Sequence, residues 1–192
     1  TSHGLSMARI FWAALGFPKS GIKLYLVPTF EYSNFKNAID FVVREKIQVV
    51  LYSQVWVYGS NFDGSGLINS QVDRAIQAGV YWVNASGNFH GKVYTGPTLS
   101  KKRTLHFENR LDQNPTDITL SWNDYGTDEN HSTLKDLDLV LQKVENADDD
   151  TGTEIARSAR IQKGEAWSEA QPQFSKYARE NIKFSKLARG HY

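Results

Sequence analysis

Apolar residues recur along this chain at two different spacings, and the spacing changes near residue 98. Up to Thr98, helix-like and strand-like stretches alternate. Met7, Ala8, Ile10, Phe11, Ala14 and Leu15 share one helical face, with Ser2 placed to cap it. Gly16 to Gly21, with Pro18 inside, is a breaker. Ile22 to Val27 (IKLYLV) is predicted as a short apolar strand. A second helix follows, capped by Ser33 or Asn34, with Phe35, Ala38, Ile39, Val42 and Val43 inward. Ile47 to Tyr52 (IQVVLY) is a second strand, and Gly59 to Gly66 a loop. Ser70 to Ala78 is a third helix, with Val72, Ala75 and Ile76 inward and Gly79 ending it. Val80 to Asn84 (VYWVN) is a third strand. Wholly apolar strands separated by helices predict an α/β arrangement, a mostly parallel sheet covered by helices on both faces.

From Leu99 onward the strands are short and polar turns separate them. Thr104 to Glu108, Asp117 to Trp122, Leu137 to Gln142, Ile155 to Arg160 and Ile182 to Leu187 are the candidates. Asp124-Tyr125-Gly126 and Asp148 to Gly152 are turns. This pattern predicts a small antiparallel β-sandwich or barrel. Lys176 to Arg189 carries a cation every three or four residues, which also fits a basic helix at a membrane surface. Strand plus turn at Arg189-Gly190 fits it better. Gly190-His191-Tyr192 reads as the start of another strand.

Composition narrows the possible functions. The 192 residues carry 22 Lys+Arg against 21 Asp+Glu, a net charge of +1. That balance argues against a nucleic-acid binder driven by bulk charge. Residues 1–98 hold 8 basic and 5 acidic side chains, while 99–192 hold 14 and 16. Neither imbalance marks a charged partner. No apolar run reaches the roughly 18 residues of a membrane span. With no cysteine, disulfides, thiolate metal sites and cysteine nucleophiles are excluded.

Three short stretches carry candidate chemistry, and each has a plainer structural reading. Ser2-His3-Gly4 puts an imidazole at the mouth of the first helix, where a capping or half-buried histidine would serve equally. Ala85-Ser86-Gly87-Asn88 follows strand VYWVN at a carboxyl edge, where ligands bind in open parallel sheets. An Asn amide there can donate to a developing oxyanion, though many such turns are only turns. Ser53-Gln54-Val55 leaves the second strand and could pair with a substrate backbone, or simply run into a loop.

Taken in order, these stretches resemble the subtilisin-like serine proteases. In that family Ser-His-Gly-Thr-His-Val-Ala-Gly opens a helix with the catalytic His, and an Ala-Ala-Gly-Asn-like turn supplies the oxyanion-hole Asn. Here SHGLSMAR and NASGN stand in those places, 85 residues apart, and SQVDRAIQAGVYWVNASGN is the closest match. The resemblance covers residues 1–98. It implies part of a doubly wound subtilisin-like sheet, a serine endopeptidase acting on protein or peptide substrates, no organic cofactor, and a secreted or extracytoplasmic place. It implies His3 as general base and acid and Asn88 as oxyanion donor. Ser53, Gln54 and Val55 would line the substrate's non-primed side. Ala85, Ser86 and Gly87 would wall the pocket for the residue before the scissile bond.

The chain departs from the family pattern in two places. Leu5 to Arg9 replaces Thr-His-Val-Ala-Gly, and Ser53-Gln54-Val55 lacks the family's glycine, so specificity does not carry over. Gly4-Leu5-Ser6-Met7-Ala8 also resembles the nucleophile motif Gly-Thr-Ser-Met-Ala. No proline follows before Pro18, however, and a strand-helix-strand series follows Ser6 as it does after the family's His. No Gly-Thr-Ser motif occurs between Phe89 and Tyr192. The expectation is therefore an internal piece of a protease, inactive alone, that lacks the Asp and Ser of the triad. Residues 1–98 would form part of the catalytic domain and 99–192 an inserted β-sandwich. The sandwich stretches DITLSWND and KDLDLVLQK look like small domains attached to secreted bacterial proteases.

Two further classes stay open. One is a catalytically inactive protease-like scaffold whose sandwich binds a protein or glycan. The other is a flavodoxin-like module, although no glycine-rich phosphate loop follows Val27-Pro28-Thr29. Asp124, Asp128, Asp136 and Asp138 could offer oxygens to calcium, or be ordinary turn and strand-edge carboxylates. His90 is close to Asn88 in sequence, and His106 and His131 lack metal-ligand spacing.

Overall fold

A computed structural model of the chain describes residues 2–16, 21–96, 104–131, 133–162, 173 and 175–192. Most of the predicted breaker at 16–21 and the predicted domain boundary at 98/99 lie outside the described residues, as does the side chain of Ser2. The chain divides into two compact units. The first comprises Thr1–Val55 and Gln71–Gly87, and the second Trp56–Ser70 and Asn88–Tyr192.

The first unit is built on α1 (Ser2–Ala14), α2 (Tyr32–Arg44), β1 (Val49–Tyr52), most of α3 (Leu67–Gln77) and β2 (Tyr81–Asn84). Helix α2 buries Phe35, Ala38, Ile39 and Val42, one stripe at three- and four-residue spacing. It starts before the predicted cap. Asn34 turns its amide back onto the Phe30 carbonyl at 2.8 Å, and the N-cap is Glu31, in left-handed backbone at φ 67° without a side-chain cap bond. Helix α3 likewise starts earlier than predicted, at Leu67, and its inward positions are Leu67, Ile68, Gln71 and Ala75. Ile76, predicted inward, is half exposed, because it lies off the stripe that Ala75 occupies.

Both helices end in the same way, and those ends aim the strands. After α2, Ile47 N–H reaches the Val42 carbonyl at 3.0 Å and Lys46 N–H the Val43 carbonyl at 3.2 Å. After α3, Val80 N–H reaches Ala75 and Gly79 N–H reaches Ile76, at 3.2 and 2.9 Å. Each is the paired 6→1 and 5→2 bonding of a Schellman motif. Gly79, at φ 90°, fills the left-handed position at no steric cost, whereas Lys46 occupies it at φ 52°. The two exits deliver β1 and β2 side by side and parallel, in the register Val49↔Tyr81 through Tyr52↔Asn84.

Side chains alternate across this pair. Tyr52 and Trp82 turn inward onto Phe35, with ring centroids 5.4 Å (Phe35–Tyr52), 6.3 Å (Phe35–Trp82) and 5.5 Å (Tyr52–Trp82) apart. Val49, Leu51, Tyr81 and Val83 lie on the other face and are exposed. The predicted strand Ile22 to Val27 forms no ladder among the described residues. Ile22, Leu24, Leu26 and Val27 are exposed, and the segment is tied to α2 through the Tyr25 ring, edge-on to Phe41 at 5.3 Å.

The second unit is antiparallel. It pairs β3 (Glu108–Asn109) with β8 (Gly190–His191), β4 (Asn114–Ser121) with β7 (Arg179–Leu187), and β5 (Leu139–Lys143) with β6 (Thr153–Ser158). The register of β4 slips between Asn114 and Thr116, at Pro115, which has no N–H to give to a ladder. Leu141, Ile182, Leu187 and Tyr192 form a core against which Ile118 and Ala156 pack, so the β4–β7 and β5–β6 ribbons share one apolar centre. Lys176 to Arg189 includes β7 rather than a helix.

Polar ties organise this unit. Asn61 pairs with the Tyr125 backbone in both directions, Nδ2 donating to its carbonyl and Oδ1 accepting its N–H, each at 2.8 Å. The Glu180 side chain is buried and accepts bonds from Ser158 Oγ, Gln162 Nε2 and, at 2.9 Å, the Arg160 N–H. Tyr125 donates its phenol to the Ala178 carbonyl at 2.9 Å, and burial pushes that phenol up to about 12.

Two outcomes follow. Glu180→Ala strands the buried Gln162 amide and two half-buried donors, and is expected to lower the unfolding free energy by roughly 2–4 kcal/mol in urea titrations. For Tyr125, the folded state holds its proton after the unfolded chain has lost it. The contribution is therefore full below about pH 10 and is lost as pH rises toward about 12, amounting to about 2–3 kcal/mol. Unfolding measured between those pH values should show a shallower decline for Tyr125→Phe than for the parent.

Candidate functional site

The carboxyl ends of β1 and β2 lie next to each other because the two strands are parallel and in register. The pairing extends one step beyond the ladder, where Ala85 N–H donates to the Tyr52 carbonyl at 2.9 Å. Ser53 and Gln54 leave β1 at this edge, and Ala85 to Gly87 leave β2. Two side chains then fix the path of Gln54. Thr29 Oγ1 donates to Gln54 Oε1 at 3.1 Å, and Asn84 Nδ2 lies 3.4 Å from the Gln54 carbonyl. Asn84 also donates to the Ala85 carbonyl at 2.6 Å and accepts from Trp82 Nε1 at 3.2 Å. It thereby links the ring cluster beneath the sheet to the chain leaving its edge.

His3 stands in the first turn of α1, with Nε2 3.0 Å from Ser53 Oγ. Both side chains are exposed. These two residues are 50 positions apart in sequence, and each was singled out there for separate reasons. An imidazole in contact with a hydroxyl at a strand end can exchange a proton with it, or with a substrate placed beside it. Ser6, the alternative nucleophile position, lies in the same helix and is exposed.

The remaining sequence-selected residues are more loosely placed. Val55 is half-buried, Ser86 is exposed, and Gly87 adopts φ 90°. Asn88 is exposed, belongs to the second unit, and has no side-chain hydrogen bond among the described residues. Thr29 and Asn84 were not singled out in the sequence. Asn84 had a legible signal, a polar residue closing an otherwise apolar strand, whereas Thr29 had none.

The four aspartates weighed for calcium go to separate tasks. Asp124 Oδ2 accepts from Thr133 Oγ1 and from the N–H groups of Leu134 and Lys135, at 3.0 and 3.2 Å for the two amides. Burial alone would raise its carboxyl, but these donors outweigh that and hold it below the ordinary carboxylate range. Asp128 accepts from Asn130 N–H, Asp136 from Gln162 N–H, and Asp138 pairs with Arg157 at 3.4 Å. Among the described residues no group of three His, Cys, Asp or Glu side chains could hold a metal ion. Nor, among them, is any helix long and apolar enough to cross a membrane.

Comparison with known proteins adds no relative: no family model, no curated protein and no solved structure matches the chain.

Proposed function

We propose that this chain is a piece of a subtilisin-like serine endopeptidase, carrying its catalytic base and its oxyanion donor. One observation carries the reading. His3 Nε2 lies 3.0 Å from Ser53 Oγ, at the carboxyl edge of a parallel strand pair. The resemblance requires the base and the substrate-lining segment to meet there, and nothing in local sequence would otherwise join them. In this reading His3 takes the proton of an attacking serine and returns it to the leaving amine. Asn88, exposed in the turn after β2, donates to the oxyanion. Ser53, Gln54 and Val55 offer backbone to an extended peptide, while Ala85, Ser86 and Gly87 wall the adjoining pocket. The nucleophile and the carboxylate that orients the imidazole come from outside residues 1–192. The sheet of which β1 and β2 are two strands is the doubly wound one, and the antiparallel unit is an inserted sandwich. Such an enzyme acts on protein or peptide substrates outside the cytoplasm.

The test is labelling of the complete gene product with a fluorophosphonate that reacts with activated serines. Labelling is expected, and is expected to fall at least about 100-fold in His3→Ala. A folded, fully processed protein that takes up no label overturns the enzyme reading. Function would then rest with a protease-like scaffold whose antiparallel unit binds a protein or glycan.

A further inference from the structure

The Ser53 side chain has a use that lining a substrate does not require. Its backbone is held from both sides. Tyr52 before it is buried with Phe35 and Trp82 and takes the Ala85 N–H, and Gln54 after it is held by Thr29 and Asn84. The hydroxyl is therefore presented from a fixed point. His3 is held differently. It sits in the first turn of α1, is exposed, and among the described residues its one side-chain hydrogen bond is the 3.0 Å contact to Ser53 Oγ.

A neutral imidazole has one N–H and one lone pair. A base that receives a proton on Nε2 must keep its own proton on Nδ1. In water, the neutral ring favours the opposite tautomer, with the proton on Nε2. A hydroxyl that donates to Nε2 selects the useful form and fixes the ring plane as well. We propose that Ser53 is a positioning residue for His3: its Oγ–H donates to Nε2, holds the proton on Nδ1, and keeps the lone pair facing the carboxyl edge of β1 and β2. An incoming serine hydroxyl then replaces one donor with another at the same nitrogen, without turning the ring or moving its proton. This role rests on the protease reading for its catalytic meaning, but the hydrogen bond and the tautomer do not.

The direct readout is the ring nitrogen resonances of His3 in the 192-residue chain, labelled with ¹⁵N at histidine, at a pH where the imidazoles are neutral. The His3 signals are assigned by their loss in His3→Gln. The Nδ1–H form is expected to dominate in the parent, the Nε2–H form in Ser53→Ala, and the Nδ1–H form again in Ser53→Thr. A folded Ser53→Ala chain with the parent's tautomer overturns the proposal, since a merely structural serine would leave the ring proton where it was. In the complete gene product, Ser53→Ala is expected to lower kcat several-fold with little change in KM, because the Ser53 backbone that meets substrate is retained. An unchanged kcat contradicts the positioning role. The two readings fail separately: a tautomer shift without any fluorophosphonate labelling removes the protease, and labelling without a tautomer shift removes Ser53.

Discussion

The contact of Tyr52 and Trp82 with Phe35 is what the first unit depends on. Two four-residue parallel strands are too short to stand alone, and parallel pairing is the weaker kind per residue. Here the pair is held by one aromatic cluster beneath it and by two helix ends that deliver its strands in register. The helix ends set direction and the rings set depth. Their common consequence is that Ser53 and Asn84 emerge at one edge, where the chain can carry polar side chains without burying them. The other face of the same pair, with Val49, Leu51, Tyr81 and Val83, is exposed among the described residues. A parallel sheet normally has both faces covered.

The second unit solves a different problem with different means. Its ribbons are antiparallel, and their shared centre is small, with Ile182, Leu141 and Leu187 at its heart. Much of its definition comes from buried polar side chains that each hold several partners. Glu180 gathers three donors, and Asn109 gives both amide hydrogens to the carbonyls of Leu187 and Ala188. A network of this kind specifies one arrangement, because any slip of register leaves several groups unpaired at once. The aspartates that looked like calcium ligands belong to the same logic, since they close turns and pair with neighbours.

Much of this was legible in the chain. The stripe Phe35, Ala38, Ile39, Val42 and the runs ending in Tyr52 and Asn84 follow directly from periodicity. Gly79 marked the end of α3 because its position demands left-handed backbone. The corresponding turn after α2 gave no such sign, since Lys46 fills that position. The start of α2 lies ahead of the expected cap for a related reason: a backbone cap at Glu31 leaves no side-chain signature, while Asn34, a good capping residue, spends its amide backward. IKLYLV has the composition of a strand, yet strand formation needs a partner, and composition is silent on partners. For the candidate site, His3 and Ser53 could each be chosen from their local setting. Their meeting across 50 residues was not legible in either setting, and the support from Thr29 and Asn84 is a product of the fold.

The candidate site depends on β1 and β2 pairing in parallel with their carboxyl ends joined. Amide hydrogen exchange read by NMR tests this at the two ends of the four-residue ladder. The Tyr81 N–H, bonded to the Gln48 carbonyl at 2.8 Å, and the Ala85 N–H, bonded to Tyr52 at 2.9 Å, bracket the pair. Both are expected to exchange at least about 100-fold more slowly than in an unstructured chain. Unprotected exchange at Ala85 in an otherwise folded protein would mean that the strand ends do not meet, and the site built on them would not exist.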